Sequence, residues 1–289
     1  MTLSQAYTVF EPSIWSPKIN VEFKKRLVAA KYFDDYSDDV TEGGGTIYIP
    51  QLAEGAFTAA DIKTSSGEVA ATNLSDTKTS LTLTSWKGSA FVMSDYQKAR
   101  IAKNYRLQEA YALGAGYSVA KKFDTDILAL GSSITHGVGN SATDLLATSI
   151  EKAFAILESH SVPKEECVLF LHQNAYWGEL MKIAKYYDAS QFGKPSVPQG
   201  AHDLLYGAPV VITNQIPAGT AGTEGGHRNL LVHKRAFAYA LASLEGVGQS
   251  GVRIQEKPSE HLRTRVIADI MYGVKCVGNY YGVRIISNT

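Results

Sequence analysis

Apolar residues recur every third or fourth position along some stretches of this chain and every second position along others. Ile19, Phe23, Leu27 and Ala30 keep helical spacing beside Lys24, Lys25 and Arg26, with Pro12 and Pro17 bracketing Ile14-Trp15 ahead of them. Residues 1–45 therefore read as an arm, closed by the acidic run Asp34-Asp35-Tyr36-Ser37-Asp38-Asp39 and by Gly43-Gly44-Gly45. Thr46-Ile47-Tyr48-Ile49 predicts a short strand stopped by Pro50. From Ser94, paired with Gln97 in a capping-box pattern, the stripe Ile101, Tyr105, Ala112, Gly116, Val119, Phe123, Ile127 and Leu130 predicts one helix running to Gly131. Its 36 residues would span roughly 54 Å, longer than a small domain is wide, so it acts as a strut.

A second helix is expected after the break at Gly137–Asn140, capped by Ser141 with Asp144 in its first turn and carrying Leu145, Ile150, Phe154 and Leu157. Cys167 to Leu171 is an unbroken apolar run, a buried strand, and a helix is expected around Ala175–Tyr187. Leu204 to Thr213 is a strand region interrupted by Pro209, and Asn229 to His233 is another strand; Ala236 to Leu244 fits helix or strand. Alternation then governs the tail: Val252 and Ile254, then Val266, Ala268, Ile270, Tyr272 and Val274, then Val283 to Ile286.

Residues 51–90 break the pattern. Thr, Ser, Ala and Gly dominate, and the large apolar residues are few: Leu52, Phe57, Ile62, Val69, Leu74 and Trp86. This reads as a long hairpin with too little apolar surface for a core of its own, so it is either disordered or borrows its burial from another molecule. Phe57 and Trp86 could fold back on the chain's own core or lie on a neighbour as interface anchors.

Charge and composition narrow the function. The chain of 289 residues balances 28 Lys and Arg against 28 Asp and Glu, which argues against a dedicated nucleic-acid binder without excluding a local basic stripe. On the long helix, Arg100, Lys103, Arg106 and Lys121 fall on the side away from the apolar stripe, either as a solvated face or as a surface that neutralises phosphate non-specifically. No apolar run approaches the ~20 residues of a membrane span, and residues 1–10 carry no secretion signal. Cys167 and Cys276 stand alone, reading as reduced thiols in a reducing cytoplasm and not as a metal site.

Catalytic and cofactor patterns are weak. Gly246-Val-Gly248-Gln-Ser-Gly251 matches GxGxxG, but a strand at Val252–Ile254 follows it where a dinucleotide fingerprint needs a helix. The seven histidines form neither HExxH nor HxH, Asp124 and Asp126 sit two apart on a helix and do not face each other, and no GxSxG elbow occurs. No enzyme, no cofactor and no metal are expected.

The order of segments is distinctive. The strand Thr46-Ile-Tyr-Ile-Pro50, the long Thr/Ser/Ala hairpin, Phe91-Val-Met-Ser-Asp-Tyr-Gln-Lys-Ala-Arg100 opening a very long helix, and Phe123-Asp-Thr-Asp-Ile-Leu128 closing it resemble the tailed-bacteriophage major capsid proteins of the Johnson fold. Val162-Pro163 to Leu171, Gly207 to Thr213 and Arg263 to Gly273 are similar to later segments of that family, so the resemblance covers roughly residues 8–286. It implies an α+β phage-capsid fold: an N-terminal arm (1–45), an extended E-loop hairpin (46–93), a peripheral domain with its spine helix (94–140), an α/β axial domain (141–245), and return strands of the peripheral domain with the C-terminal tail (246–289).

The implied function is structural. Hexamers and pentamers would tile an icosahedral shell around double-stranded DNA, in the virion, after assembly in the host cytoplasm. Phe57, Ile62, Leu74 and Trp86 would contact an adjacent subunit through the E-loop, and Arg100, Lys103, Arg106 and Lys121 would face the genome or a scaffold. Portal and decoration proteins are implied partners; with no long charged extension ahead of the arm, any scaffold is expected to be a separate protein. Lys63 and Lys78 lie in the hairpin, but no matching Asn or Glu motif for covalent cross-linking is visible. The alternatives are an encapsulin-like nanocompartment shell with protein cargo and, from another class, an α/β enzyme built on residues 141–245.

Overall fold

A computed structural model of the chain describes residues 28–40, 45–51, 77–94, 107–183, 204–218, 226–242, 252–259 and 262–288. In chain order the strands are β1 (Asp34–Asp35), β2 (Thr46–Gln51), β3 (Thr77–Thr82) and β4 (Ser85–Ser94), followed by helix α1 (Leu107–Ala129) and β5 (His136–Gly139). Helix α2 (Ala147–Ser159) leads to β6 (Cys167–His172), β7 (Leu204–Leu205), β8 (Ala208–Thr213), β9 (His227–His233) and β10 (Phe237–Leu241). The last three are β11 (Arg253–Ser259), β12 (Arg263–Cys276) and β13 (Gly282–Ser287).

Two sheets carry the mass. The first is built on the 14-residue β12, paired antiparallel with β4 over Arg263–Tyr272, with β11 over Arg263–Asp269 and with β10 over Tyr272–Cys276; β1 lies parallel to β10. The second has the order β5-β13-β9-β6-β8-β7. Strand β6 is buried along its whole length, as its unbroken apolar run predicts. Pro209 lies in β8 ahead of the ladder with β6, which begins at Val210, and opposite Leu204 of the two-residue edge strand β7. The segment that fitted helix or strand, from Ala236, is strand β10. Sheet membership crosses the expected boundaries: β10 joins the first sheet, whereas β5 and β13 join the second.

One core links the sheets. Val119, Phe123, Ile127 and Leu128 of α1 are buried with Ala268, Ile270 and Tyr272 of β12 and with Phe170, Leu230 and Phe237. Alternation on β12 sends the even-numbered residues to the helix, and the helical stripe meets them. A second cluster seats Ile150, Phe154 and Leu157 of α2 against Leu169, Leu231 and Ile285.

Two helical expectations are corrected. Ser141 does not cap α2: the Asn140 side chain accepts the Ala142 N–H at 2.6 Å in an Asx turn, and the helix starts only at Ala147, after the extended Leu146, without a side-chain cap. The helix expected around 175–187 is, as far as Ile183, a π turn (Ala175–Glu179) and a 3-10 turn (Leu180–Lys182). There the Glu179 carboxylate is drawn inward to accept the Leu145 N–H at 2.7 Å.

Candidate assembly surface

Strands β2 and β3 form a two-stranded ladder in register from Thr46↔Thr82 to Gln51↔Thr77. Ile49, Leu81 and Leu83 settle on Ala238 and Ala240 of β10 and on Ala242 just after it, with Met271 alongside. These alanines alternate on one face and make a floor shallow enough for a second layer to lie close. Gly273 makes the closest approach: a Cβ there would stand 2.4 Å from the Thr82 carbonyl oxygen. The Leu83 N–H donates to the Gly45 carbonyl at 2.8 Å, and the Gln51 amide donates to the Val277 carbonyl at 2.8 Å, which ties both ends of the stem.

Although most of residues 77–90 are exposed, the expectation that residues 51–90 find no burial on their own body therefore fails for Leu81 and Leu83. The floor they use lies more than 150 residues away in sequence, where composition cannot see it. Phe57, Ile62, Lys63 and Leu74 lie outside the described residues.

Trp86 stands on β4 opposite Met271, with 67% of its surface exposed. Its Nε1–H donates to Asp269 Oδ2 at 2.9 Å, while Arg253 reaches both oxygens of the same carboxylate, Nε at 3.0 Å and Nη2 at 2.6 Å. Arg253, and then Trp86, hold the Asp269 carboxyl below the usual carboxylate range against the opposing effect of burial. The indole is thus held by a strong charge-assisted network while its ring faces outward. Tyr48, also exposed, has Lys78 Nζ 4.4 Å from its ring centroid. The signal missed in the sequence was a lone acid inside the apolar alternation Val266–Tyr272, which predicts a buried pair.

On α1, Lys121 is exposed and Lys122 pairs with Asp126 at 2.6 Å. Arg100, Lys103 and Arg106 lie outside the described residues. The end of α1 joins three parts of the chain. Phe123 meets the rings of Tyr239 and Tyr272, at centroid distances of 5.5 and 4.9 Å. Asp126 accepts the Tyr272 hydroxyl at 2.6 Å, and the buried Asp124 accepts the Ala29 N–H at 2.7 Å, anchoring the end of the arm. The two acids do not face each other, as their spacing requires. Burial pushes the Asp124 carboxyl above its ordinary range, although the backbone donors of the arm pull it back.

Five histidines lie among the described residues. His172 and His227 stack with centroids 3.4 Å apart, and His136 lies against His160 and Tyr280. His233 accepts the Arg235 N–H at Nδ1 and stands 3.1 Å from Glu166 at Nε2. Among the described residues no group of three or more His, Cys, Asp and Glu could hold a metal, and no helix is long and apolar enough to cross a membrane. Residues 246–251 lie outside the described residues, and β11 follows them where a dinucleotide site needs a helix. Burial pushes the free thiols up, Cys167 to about 12 and Cys276 to about 11.

No protein-family model matches the chain, and no curated protein matches it by sequence. Solved structures do match. A chain from Mycobacterium phage Che8 superposes with a TM-score of 0.77 at 20% identity, over 97% of this chain and 98% of that one. The capsid of Cyanophage P-SCSP1u gives 0.73 at 12% identity over 97% and 94%, and the Cyanophage Pam1 capsid asymmetric unit gives 0.67 at 16% over 100% of both chains. The chain has a phage-capsid fold. At these identities the capsid fold retains architecture while its residues diverge, which is why the segment order carried the resemblance and single motifs did not.

Proposed function

We propose that this chain is the major capsid protein of a tailed phage. It is a structural subunit, not an enzyme, and it assembles as hexamers and pentamers into an icosahedral shell around double-stranded DNA. One observation carries this reading: the end-to-end superposition on phage capsid structures, with 94% and 100% of the two capsid chains covered. In this reading α1 is the spine of the peripheral domain, the β2–β3 stem is the root of an E-loop laid over an adjacent subunit, and α2 with the second sheet supplies the axial domain. Trp86, with Phe57, Ile62 and Leu74, forms the inter-subunit contact; the exposed, hydrogen-bonded indole supports that role. Lys121, with Arg100, Lys103 and Arg106, faces the genome. Portal, scaffold and decoration proteins are its partners in the virion, after assembly in the host cytoplasm.

Electron microscopy and size-exclusion chromatography of the expressed chain test the proposal. Capsomers or closed particles are expected; a well-behaved monomer under every assembly condition refutes it. Deleting residues 53–75, which spares β2 and β3, is expected to leave a folded subunit unable to close shells, and normal shells would remove the E-loop role. Changing Arg100, Lys103, Arg106 and Lys121 to Gln is expected to lower DNA retention more than empty-shell assembly; equal effects make the stripe a solvated face.

A further inference from the structure

The helix covers one face of the first sheet, and the β2–β3 stem lies on the other beside Met271 and Gly273. Further along that other face Lys257, Arg263 and Arg265 are exposed. Register assigns its residues: Trp86, Gly88, Ala90 and Val92 from β4, Arg263, Arg265, Ile267 and Asp269 from β12, and Arg253, Gln255 and Lys257 from β11. Its charge is one-sided. Arg253 is matched by Asp269, but Lys257 lies directly opposite Arg265, both exposed, with Arg263 two residues further along. Like charges facing each other across a ladder destabilise it. Among the described residues of these three strands, no second carboxylate shares that face.

The same sheet carries its opposite charge elsewhere. Asp34, Asp35, Asp38 and Asp39 crowd the turn around β1, and Asp38 and Asp39 are exposed. Asp34 pairs with Ala238, which pairs with Lys275, and Lys275 lies ten residues from Arg265 along β12. That separation is roughly 33 Å at a strand rise of about 3.3 Å per residue, so the two patches of one chain cannot touch. Two copies arranged head to tail can bring them together, and such heterologous contacts close into rings.

We propose that the exposed part of this sheet face around Lys257, Arg263 and Arg265 receives the acidic turn Asp34–Asp39 of a second copy of this chain. This deepens the shell reading and rests on it. The aromatic-plus-arginine composition is that of an interface core, and the facing charges set the direction in which copies join.

A charge swap tests it. Lys257→Glu with Arg265→Glu in the full chain is expected to raise the concentration needed for particle formation by about tenfold, as lost interface ion pairs of this kind do. Asp38→Lys with Asp39→Lys should do the same, and all four changes together should restore assembly. The swap is read beside thermal unfolding of the dissociated subunit, which should move little in each variant because all four side chains are exposed. If either pair assembles normally, or the fourfold variant stays as poor as its parents, the contact is refuted while the shell reading stands. Normal particles that lose packaged DNA would make the patch a phosphate surface, also overturning it. If the unaltered chain forms no particles at all, both readings fail.

Discussion

Replacing Gly273 with Ala adds one methyl group where two backbones meet. The new Cβ would stand 2.4 Å from the Thr82 carbonyl oxygen and 2.9 Å from its carbon, whereas ordinary contacts begin near 3.4 Å, so the stem must retreat by roughly 1 Å. Two responses compete. If the β2–β3 stem lifts away, Leu81 and Leu83 lose their burial, at about 1.5–3 kcal/mol each. If it stays and absorbs the strain, overpacking costs about 1–3 kcal/mol. The smaller figure wins: the stem shifts without detaching, for about 2 kcal/mol, of which the entropy removed from the unfolded chain offsets roughly 0.5. A fall of about 3–6 °C in the Tm of the dissociated subunit is expected. Hydrogen exchange reads the mechanism directly, because the Leu83 amide bonded to Gly45 should lose protection while the Leu169 amide in β6 keeps it. Unchanged Tm together with unchanged exchange at Leu83 would refute the argument that this glycine sets the seat of the stem. Shell closure should suffer more than stability, since a root displaced by 1 Å misdirects whatever it carries.

Further outcomes follow from the buried acids and thiols. Asp124 has its folded-state carboxyl raised by burial, so its contribution to stability is greatest when protonated and falls as pH climbs from about 3.9 through the folded value; Asp124→Asn should flatten that part of the stability–pH profile. Asp124→Ala, which strands the buried Ala29 N–H, should cost about 1–3 kcal/mol and hasten proteolysis of the arm near residue 29. Asp269 has the opposite sign: its stabilisation is present above about 3.9 and lost as pH falls through the lowered folded value, and Asp269→Ala should cost about 3 kcal/mol by leaving Arg253 unmatched. Trp86→Ala should change subunit stability by less than about 1 kcal/mol yet depress particle yield, the split that separates an interface anchor from a core residue. Cys167 should resist iodoacetamide at pH 8 in the folded chain and label only on unfolding, with the half-buried Cys276 labelling first; fast native labelling of Cys167 would contradict its burial.

How much of this was legible beforehand depended on whether the partner of each residue was local. The stripe Val119, Phe123 and Ile127, the all-apolar Cys167–Leu171 and the alternation of β12 are local periodicities, and each became the element it predicted. Helix α2 follows its apolar spacing, but it starts at Ala147 without a side-chain cap, so the cap pattern at Ser141 points to a turn ahead of the helix. The floor of alanines under Leu81, the Gly273 approach to Thr82 and the Asp269 pairing with Arg253 and Trp86 join segments far apart in sequence. A composition count treats such residues as small or polar and assigns them no work. Trp86 was singled out as an anchor, but the carboxylate that fixes it was not, since a single Asp in a strand becomes informative only once its cross-strand neighbours are known.

The position of β13 has a consequence for the life of the chain. Residues 282–287 fill the slot between β5 and β9, pairing parallel with one and antiparallel with the other. Until residues 282–287 are in place, the edge strand β5 is cut off from β9 and the second sheet stays open next to that edge. A chain cut before residue 282 has nothing to join β5 to the rest of that sheet.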